Sequence, residues 1–333
     1  MNDSNNLIHV ALGVYDPRGT YSRHVGVLMT SLFVAASGQV RVTVLHDETL
    51  SEDNRSRMRR TGDVFGQDVC FLDLSSSVSR LGADLEGIVG HFSRGCLFRL
   101  FIPEVLQVSK AIYLDCDIAV DLDIAELWNL PLEDASLAAA KDATIVSRSG
   151  KRHERLRSWA MGYDGREYFN SGVLLMNLDR IRRKFDLVEE SVRFFKRYAH
   201  VCSYPDQDFL NVLFRGDVRF IDERFNRITE RRDIKDSIMH LTGKYKPWTF
   251  HLCDPRDIFY WRTFARSEWK DQLVDAMLEM YKANPTAHPH SSDCMKRLLT
   301  RWKKDLLTNN GLVKLGNDLR IYATELRRRM SPE

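Results

Sequence analysis

Ala111-Ile112-Tyr113-Leu114-Asp115-Cys116-Asp117 is the stretch that decides the fold. Four apolar residues form a short run of the kind buried in a parallel sheet, and two acids follow it, one residue apart. On extended backbone, residues two apart point the same way, so Asp115 and Asp117 share a face at a predicted strand end. Ligands of open α/β sheets bind at such carboxyl ends. Two carboxylates there suit one hard divalent cation, with phosphate and water oxygens completing its shell. The pattern alone is equally that of a solvated turn; the apolar strand before it lifts the first copy. A second copy, Asp121 and Asp123, lies past the strand and reads as loop or helix-cap chemistry.

Outward from this point the chain alternates strand and helix. Apolar or alternating runs predict strands at 7–14, 40–46, 68–74, 136–140, 172–178 and 218–221. Helical patterns fall at 24–36, 51–61, 92–107, 186–199, 207–214 and 269–282, the second opened by Ser51 as N-cap. The first of these puts Val27, Leu28, Ser31, Leu32 and Ala35 on one face. Such alternation predicts an α/β fold with a mixed, mostly parallel sheet flanked by helices.

Composition agrees. The 333 residues are 44% hydrophobic and 29% charged, which is globular and excludes global disorder. A net charge of +3 gives no overall field for nucleic acid. The charge is uneven, however: residues 296–333 hold ten Lys or Arg against four acids, leaving the rest at −3. The polar stretch 286–293 reads as a linker. In 294–308, Met295, Leu298, Leu299, Trp302 and Leu306 share one helical face opposite a basic one. Such a helix either lies on an anionic membrane or packs on the core with its charges in solvent. Met1–Asn6 lacks a signal-peptide pattern and no apolar run nears a membrane span, so an intracellular chain is expected. The six cysteines include no C-x-x-C pair and are expected as core thiols rather than disulfides.

Three further segments carry chemistry. His240 stands in Ile238-Met239-His240-Leu241-Thr242-Gly243-Lys244-Tyr245-Lys246-Pro247-Trp248. Gly243 permits close backbone approach and Lys246 can neutralise phosphate. Aspartates with an imidazole suit Mn²⁺ or Mg²⁺, the nitrogen tilting toward manganese. Tyr204-Pro205-Asp206-Gln207-Asp208 opens a predicted helix, where Asp206 taken alone reads as an N-cap. In Phe169-Asn170-Ser171-Gly172, Asn170 is a turn residue or a partner for a sugar hydroxyl. P-loop, dinucleotide and nucleophile-elbow motifs are absent from the sequence.

Taken in order, these blocks resemble the family 8 glycosyltransferases. The matching pieces are Leu97-Phe98-Arg99-Leu100, Tyr113 to Asp117, Lys141-Asp142, Tyr168 to Leu178, Asp206-Gln207-Asp208-Phe209-Leu210-Asn211 and His240 to Trp248. The resemblance implies a GT-A fold and transfer of a hexose, with retention, from UDP-galactose or UDP-glucose to a saccharide acceptor. Bacterial members build lipopolysaccharide or lipooligosaccharide core, so a lipid-linked acceptor at the inner face of the cytoplasmic membrane is implied. By matching position, Asp115, Asp117 and His240 would bind Mn²⁺ (or Mg²⁺). Asp115, Gly243 and Lys246 would hold the diphosphate, and Arg99, Asp142 and Asn170 the donor sugar. Gln207 and Asp206 would act at the reacting carbon. Gln207 is an amide and a poor nucleophile, which favours same-face attack over double displacement. The loop Tyr15 to Tyr21 is longer than the family's Asp-x-x-Tyr segment; Asp16 and Tyr21 are its candidates for the nucleotide. Residues 1–250 would form the catalytic domain, 251–285 a small helical extension and 286–333 the basic tail.

Two other classes compete. A sugar nucleotidyltransferase would show a Gly-rich N-terminal loop with a basic residue, and residues 11–24 lack it. A non-catalytic nucleotide-sugar-binding module would not need Asp115, Asp117, His240 and Lys246 together.

Overall fold

β1 (Ile8–Val14) runs parallel to β2 (Val40–His46), Ile8 opposite Val40 and Val14 opposite His46, and β2 runs parallel to β3 (Asp68–Asp73). The helices α1 (Ser22–Ala35) and α2 (Glu52–Phe65) make the crossovers. Ser51 caps α2 by accepting from the Asn54 amide, and Gly66 closes it at φ 64°. On its other side β1 pairs in parallel with β4 (Lys110–Leu114). The computed structural model describes residues 7–81, 93–228, 234–243, 246–249 and 255–283. The predicted linker and basic helix of the tail lie outside them.

Beyond β4 the sheet turns mixed. β7 (Val173–Asn177) is antiparallel to both β4 and β6 (Leu137–Ala140), and β6 is parallel to the edge strand β8 (Val218–Ile221). The order is β3-β2-β1-β4-β7-β6-β8, with four of six pairings parallel, as expected. β5 (Ile118–Val120) and β9 (Ile238–His240) form a separate antiparallel pair.

The sheet separates two apolar cores, and alternation along each strand feeds both. Val10, Leu12, Val42, Val44, Ile112 and Leu114 face the first. Ala11, Leu45, Ala111, Tyr113 and Leu174 face the second. Both faces being covered, the strands read as near-continuous apolar runs. α3 (Ile124–Trp128) joins the first core through Ile124 and Leu127. Helices on the second side include α4 (Ala143–Arg148), α5 (Arg152–Met161), α6 (Leu178–Lys184), α7 (Leu187–Tyr198) and α8 (Pro205–Leu213).

α9 (Pro255–Phe264) and α10 (Leu273–Ala283) cover the outer side of α1. Tyr260, Trp261, Phe264 and Trp269 join the core of β1 and β2. This corrects the single apolar face expected for α1: every residue from Ser22 to Phe33 is buried. The helix lies between the sheet and a second layer, so its polar residues need internal partners. Ser31 finds two, donating to the Leu28 carbonyl and accepting from the Val120 amide. A Cβ at Gly26 would stand 2.3 Å from the Trp269 ring.

The cysteine expectation needs one correction. Cys70, Cys96, Cys116 and Cys202 are free thiols and Cys116 is buried, but Cys70 is exposed on the outer strand β3. Asp123 caps α3 by accepting from Ala125, the role expected for the second acidic pair.

Candidate active site

β4 ends at Leu114 and leaves Asp115 and Asp117 on the rim of the sheet. The Asp115 amide bonds to the Gly172 carbonyl at 2.8 Å, so the rim is pinned by the approach to β7. The β5–β9 pair then returns His240 to this point: Ile118 stands opposite His240, and the Leu241 amide donates to the Asp117 carbonyl at 2.8 Å.

Nε2 of His240 is 3.1 Å from Asp117 Oδ1 and 3.7 Å from Asp115 Oδ2. One ligand atom from each of the three lies within 4.8 Å of the others. Nδ1 of His240 is 3.0 Å from Asn226 Oδ1. Nδ2 of Asn226 donates to Asn170 Oδ1 at 2.9 Å, which leaves its oxygen for the imidazole. Nδ1 therefore carries a proton, and Nε2 faces the carboxylates, where it donates to Asp117 as imidazolium and can ligate a cation once deprotonated. Two carboxylate oxygens and a neutral imidazole nitrogen converging in this way could hold a divalent metal ion. The backbone is shaped for it: a Cβ at Gly172 would lie 2.2 Å from His240 Cε1 and 2.7 Å from Asp115 Oδ2.

A continuous network surrounds the cluster. Arg99, buried on the 3₁₀ turn 94–101, donates to Asp115 Oδ1 at 2.6 Å and to the Ser171 carbonyl at 2.6 Å. It pairs with Asp206 at 3.2 Å. Asp206 accepts from Ser171 Oγ at 3.0 Å, and Gln207 Oε1 from the Ser171 amide at 3.1 Å. Gln207 Nε2 donates to Asp142 Oδ2 at 3.2 Å, and Asn170 Nδ2 to the same oxygen at 3.1 Å. The other Asp142 oxygen caps α4 through the Thr144 and Ile145 amides. Arg99, Asp142, Asn170, Asp206 and Gln207 thus stand in one bonded ring with the acidic cluster. Asp206 is no helix cap: Tyr204 takes that position on α8 without a side-chain bond, and the Asp206 carboxylate turns toward Ser171 and Arg99.

The charges are graded. Burial raises the Asp115 carboxyl and Asp117 adds to this, while Arg99 opposes. Burial acts on Asp117 in the same sense, but Lys246 and His240 outweigh it and hold its carboxyl well below the usual range. Lys246 Nζ sits 2.6 Å from Asp117 Oδ2. Burial disfavours the His240 imidazolium, yet the two aspartates win and raise its pKa.

The remaining candidates fall on the loops around this rim. Gly243 adopts φ 84°, a conformation that favours glycine. The segment carrying Lys246 is anchored by Trp248, which stacks on His24 of α1 at 3.9 Å between ring centroids. Tyr21 lies near enough that Asp117 and Asp115 add to burial in pushing its phenol well up. Asp16 is engaged inside the protein. Its Oδ1 accepts from the Tyr21 amide, and its Oδ2 accepts from the Ser22 amide, the Ser22 hydroxyl and Asn54. It fixes the entry to α1, so any contact with a nucleotide would compete with these bonds. The sequence reading missed Asn226, a lone amide after β8, and the steric part played by Gly172.

Residues 14–251 match the family described as glycosyl transferase family 8. The lipopolysaccharide 1,2-glucosyltransferase of Escherichia coli (strain K12) is 31% identical over 198 residues, 54% of this chain and 56% of that protein. General stress protein A of Bacillus subtilis (strain 168) is 25% identical over 275 residues, 75% of this chain and 91% of that protein. Among solved structures, the galactosyltransferase LgtC in complex with donor and acceptor sugar analogs superposes with a TM-score of 0.60 at 28% identity, over 72% of this chain and 89% of that one. The mixed sheet with its acidic rim is the GT-A fold, and no described helix is long and apolar enough to cross a membrane. With the motif blocks in order and the matched region spanning the whole rim, the chain belongs to glycosyl transferase family 8.

Proposed function

We propose that this chain moves a hexose, galactose or glucose, from a UDP-sugar to a saccharide acceptor, with retention at the anomeric carbon. The observation that supports it most is the convergence of Asp115, Asp117 and His240 beside Lys246, backed by the Arg99–Asp206–Gln207–Asp142–Asn170 ring. Asp115, Asp117 and His240 would hold Mn²⁺ (or Mg²⁺), which supplies Lewis-acid stabilisation of the diphosphate leaving group. Lys246 and Gly243 meet that diphosphate, and Tyr21 lines the nucleotide side. Asp16 acts there by holding the loop. The sugar lies against Arg99, Asp142 and Asn170.

The bond from the anomeric carbon to the diphosphate oxygen breaks with its electrons on UDP, and the acceptor hydroxyl attacks from the same face. Its proton passes to the departing diphosphate. Gln207 is fixed at both ends of its amide, by Ser171 and Asp142, and Asp206 by Arg99. Both therefore serve as rigid positioning and electrostatic groups. The name of the Escherichia coli relative, a lipopolysaccharide 1,2-glucosyltransferase, favours a lipid-linked core or other surface glycan as acceptor. That reaction belongs on the cytoplasmic face of the membrane, with residues 294–333 as the anionic-surface contact.

The test is UDP release from a panel of UDP-sugars, with Mn²⁺ and with chelator, beside Asp117→Asn. Slow hydrolysis of one UDP-hexose that needs metal and is lost in the variant is the expected result. No turnover of any donor, together with no metal-dependent UDP binding by calorimetry, sinks the reading.

A further inference from the structure

A cavity of about 970 Å³ opens beside α5, away from the acidic rim. Trp159 forms one wall and is 82% exposed, the most exposed large apolar side chain among the described residues. An indole left open at the mouth of a cavity calls for a partner in a way that scattered surface leucines do not. Arg155, Arg166, Arg215, Asp164 and Glu167 also line the space, so donors and acceptors of both signs surround the indole. Tyr163 lines the inner wall, nearly buried, and its hydroxyl takes no hydrogen bond from the protein. Bare backbone completes the lining: a Cβ at Gly150 would meet no atom within 4 Å.

The cavity is connected to the catalytic rim by one short helix. Asp142 caps the start of α4 and Ser149, at its end, lines the cavity. Six residues of helix, about 9 Å long, lie between them. On the other side, the Tyr163 ring packs 5.1 Å from that of Tyr168, two residues before Asn170.

An aromatic platform with mixed acids and guanidinium groups at its edge is the chemistry that receives a sugar: the ring covers the apolar C–H face while polar groups bond the hydroxyls. Asp164, paired with Arg166 at 2.8 Å, and Glu167 offset two of the three guanidinium groups, which leaves little net charge to draw an anionic bilayer. We propose that this cavity is a glycan-binding subsite that takes acceptor sugar units remote from the reacting hydroxyl. Its place in catalysis rests on the transferase reading above, where remote binding energy orients the reacting end.

Calorimetry and acceptor kinetics on the full chain test this, with a panel of neutral and phosphorylated oligosaccharides as probes and methyl hexosides as short acceptors. The variants are Trp159→Ala, which removes an exposed ring, and Gly150→Leu, which fills open space at negative φ. Both weaken oligosaccharide binding by about ten-fold and raise oligosaccharide KM alike. KM for the methyl hexosides and hydrolysis of the UDP-sugar stay unchanged. Oligosaccharide binding that both variants keep, or that the parent lacks across the panel, overturns the proposal. So does loss in both variants of binding to phosphatidylglycerol vesicles with oligosaccharide affinity intact, which would make α5 a lipid contact. If the parent hydrolyses no donor yet loses oligosaccharide binding with Trp159, the transferase reading falls and the subsite stands.

Discussion

A side-chain carbon placed on Gly172 would come within 2.2 Å of Cε1 of His240. The glycine before β7 is therefore there to admit an imidazole. Gly172→Ala leaves the strand intact but pushes His240 off the line to Asp115 and Asp117. Mn²⁺ affinity, read by paramagnetic resonance, should fall by about 10- to 100-fold, the range found when groups orienting a metal ligand are disturbed. An unchanged affinity would mean that His240 is no ligand.

Asn226 sets the proton on the same imidazole from behind, 3.0 Å from Nδ1. Asn226→Ala removes the acceptor and frees the ring to turn, with an expected loss of about ten-fold in Mn²⁺ affinity. Asn226→Asp keeps an acceptor at Nδ1 and should hold the metal better than the alanine variant. Equal losses in both would show that Asn226 acts on Asn170 and not on the imidazole.

Much of this was legible in the sequence, for identifiable reasons. A sheet covered on both faces writes itself as apolar runs, so β1, β2, β4 and β7 fell where expected. The strands β5 and β9 are three residues each, too short for any period to register, and they are what join His240 to the aspartates. α1 was misread because a helix enclosed by two layers shows no polar face. Asp206 was ambiguous alone, since capping and ion pairing use the same carboxylate; only its neighbours Ser171 and Arg99 decide. Asn226 gives no pattern at all, because its partners come from distant segments.

His24 predicts how stability responds to acid. Burial, aided by Arg23 and Lys246, holds its pKa well below 6.5, while Asp117 pulls weakly the other way. Below about pH 6.5 the unfolded chain takes up a proton that the native chain refuses. Stability should then fall with decreasing pH, by up to about 1.4 kcal/mol per unit for this one group, and be unaffected by it above 6.5. His9, also lowered by burial and Arg41, adds in the same direction. His240, whose pKa is raised, has its window above 6.5 and stays out of this range. Denaturation midpoints at pH 7 and 5.5 should draw closer in His24→Gln; an unchanged gap refutes the assignment.

Asp208, the last acid of the Asp206-Gln207-Asp208 block, has a structural task. It is fully buried, and Arg157 of α5 donates to both its oxygens at 3.0 Å. Tyr168 and the amides of Ser203 and Tyr204 supply the remaining bonds. Burial raises its carboxyl in spite of these partners, so the site depends on Arg157 to keep the charge inside. Arg157→Met strands that charge and should cost about 3–5 kcal/mol in urea denaturation. Arg157→Met combined with Asp208→Leu removes both charges and should recover a large part of the loss, because an apolar pair of similar volume replaces a buried ion pair at little penalty. The comparison separates two roles for the motif. If the double variant regains stability and also metal-dependent UDP binding, Asp208 serves the fold. If it regains stability but not UDP binding, the carboxylate also aligns α8 and its Gln207 with the donor site.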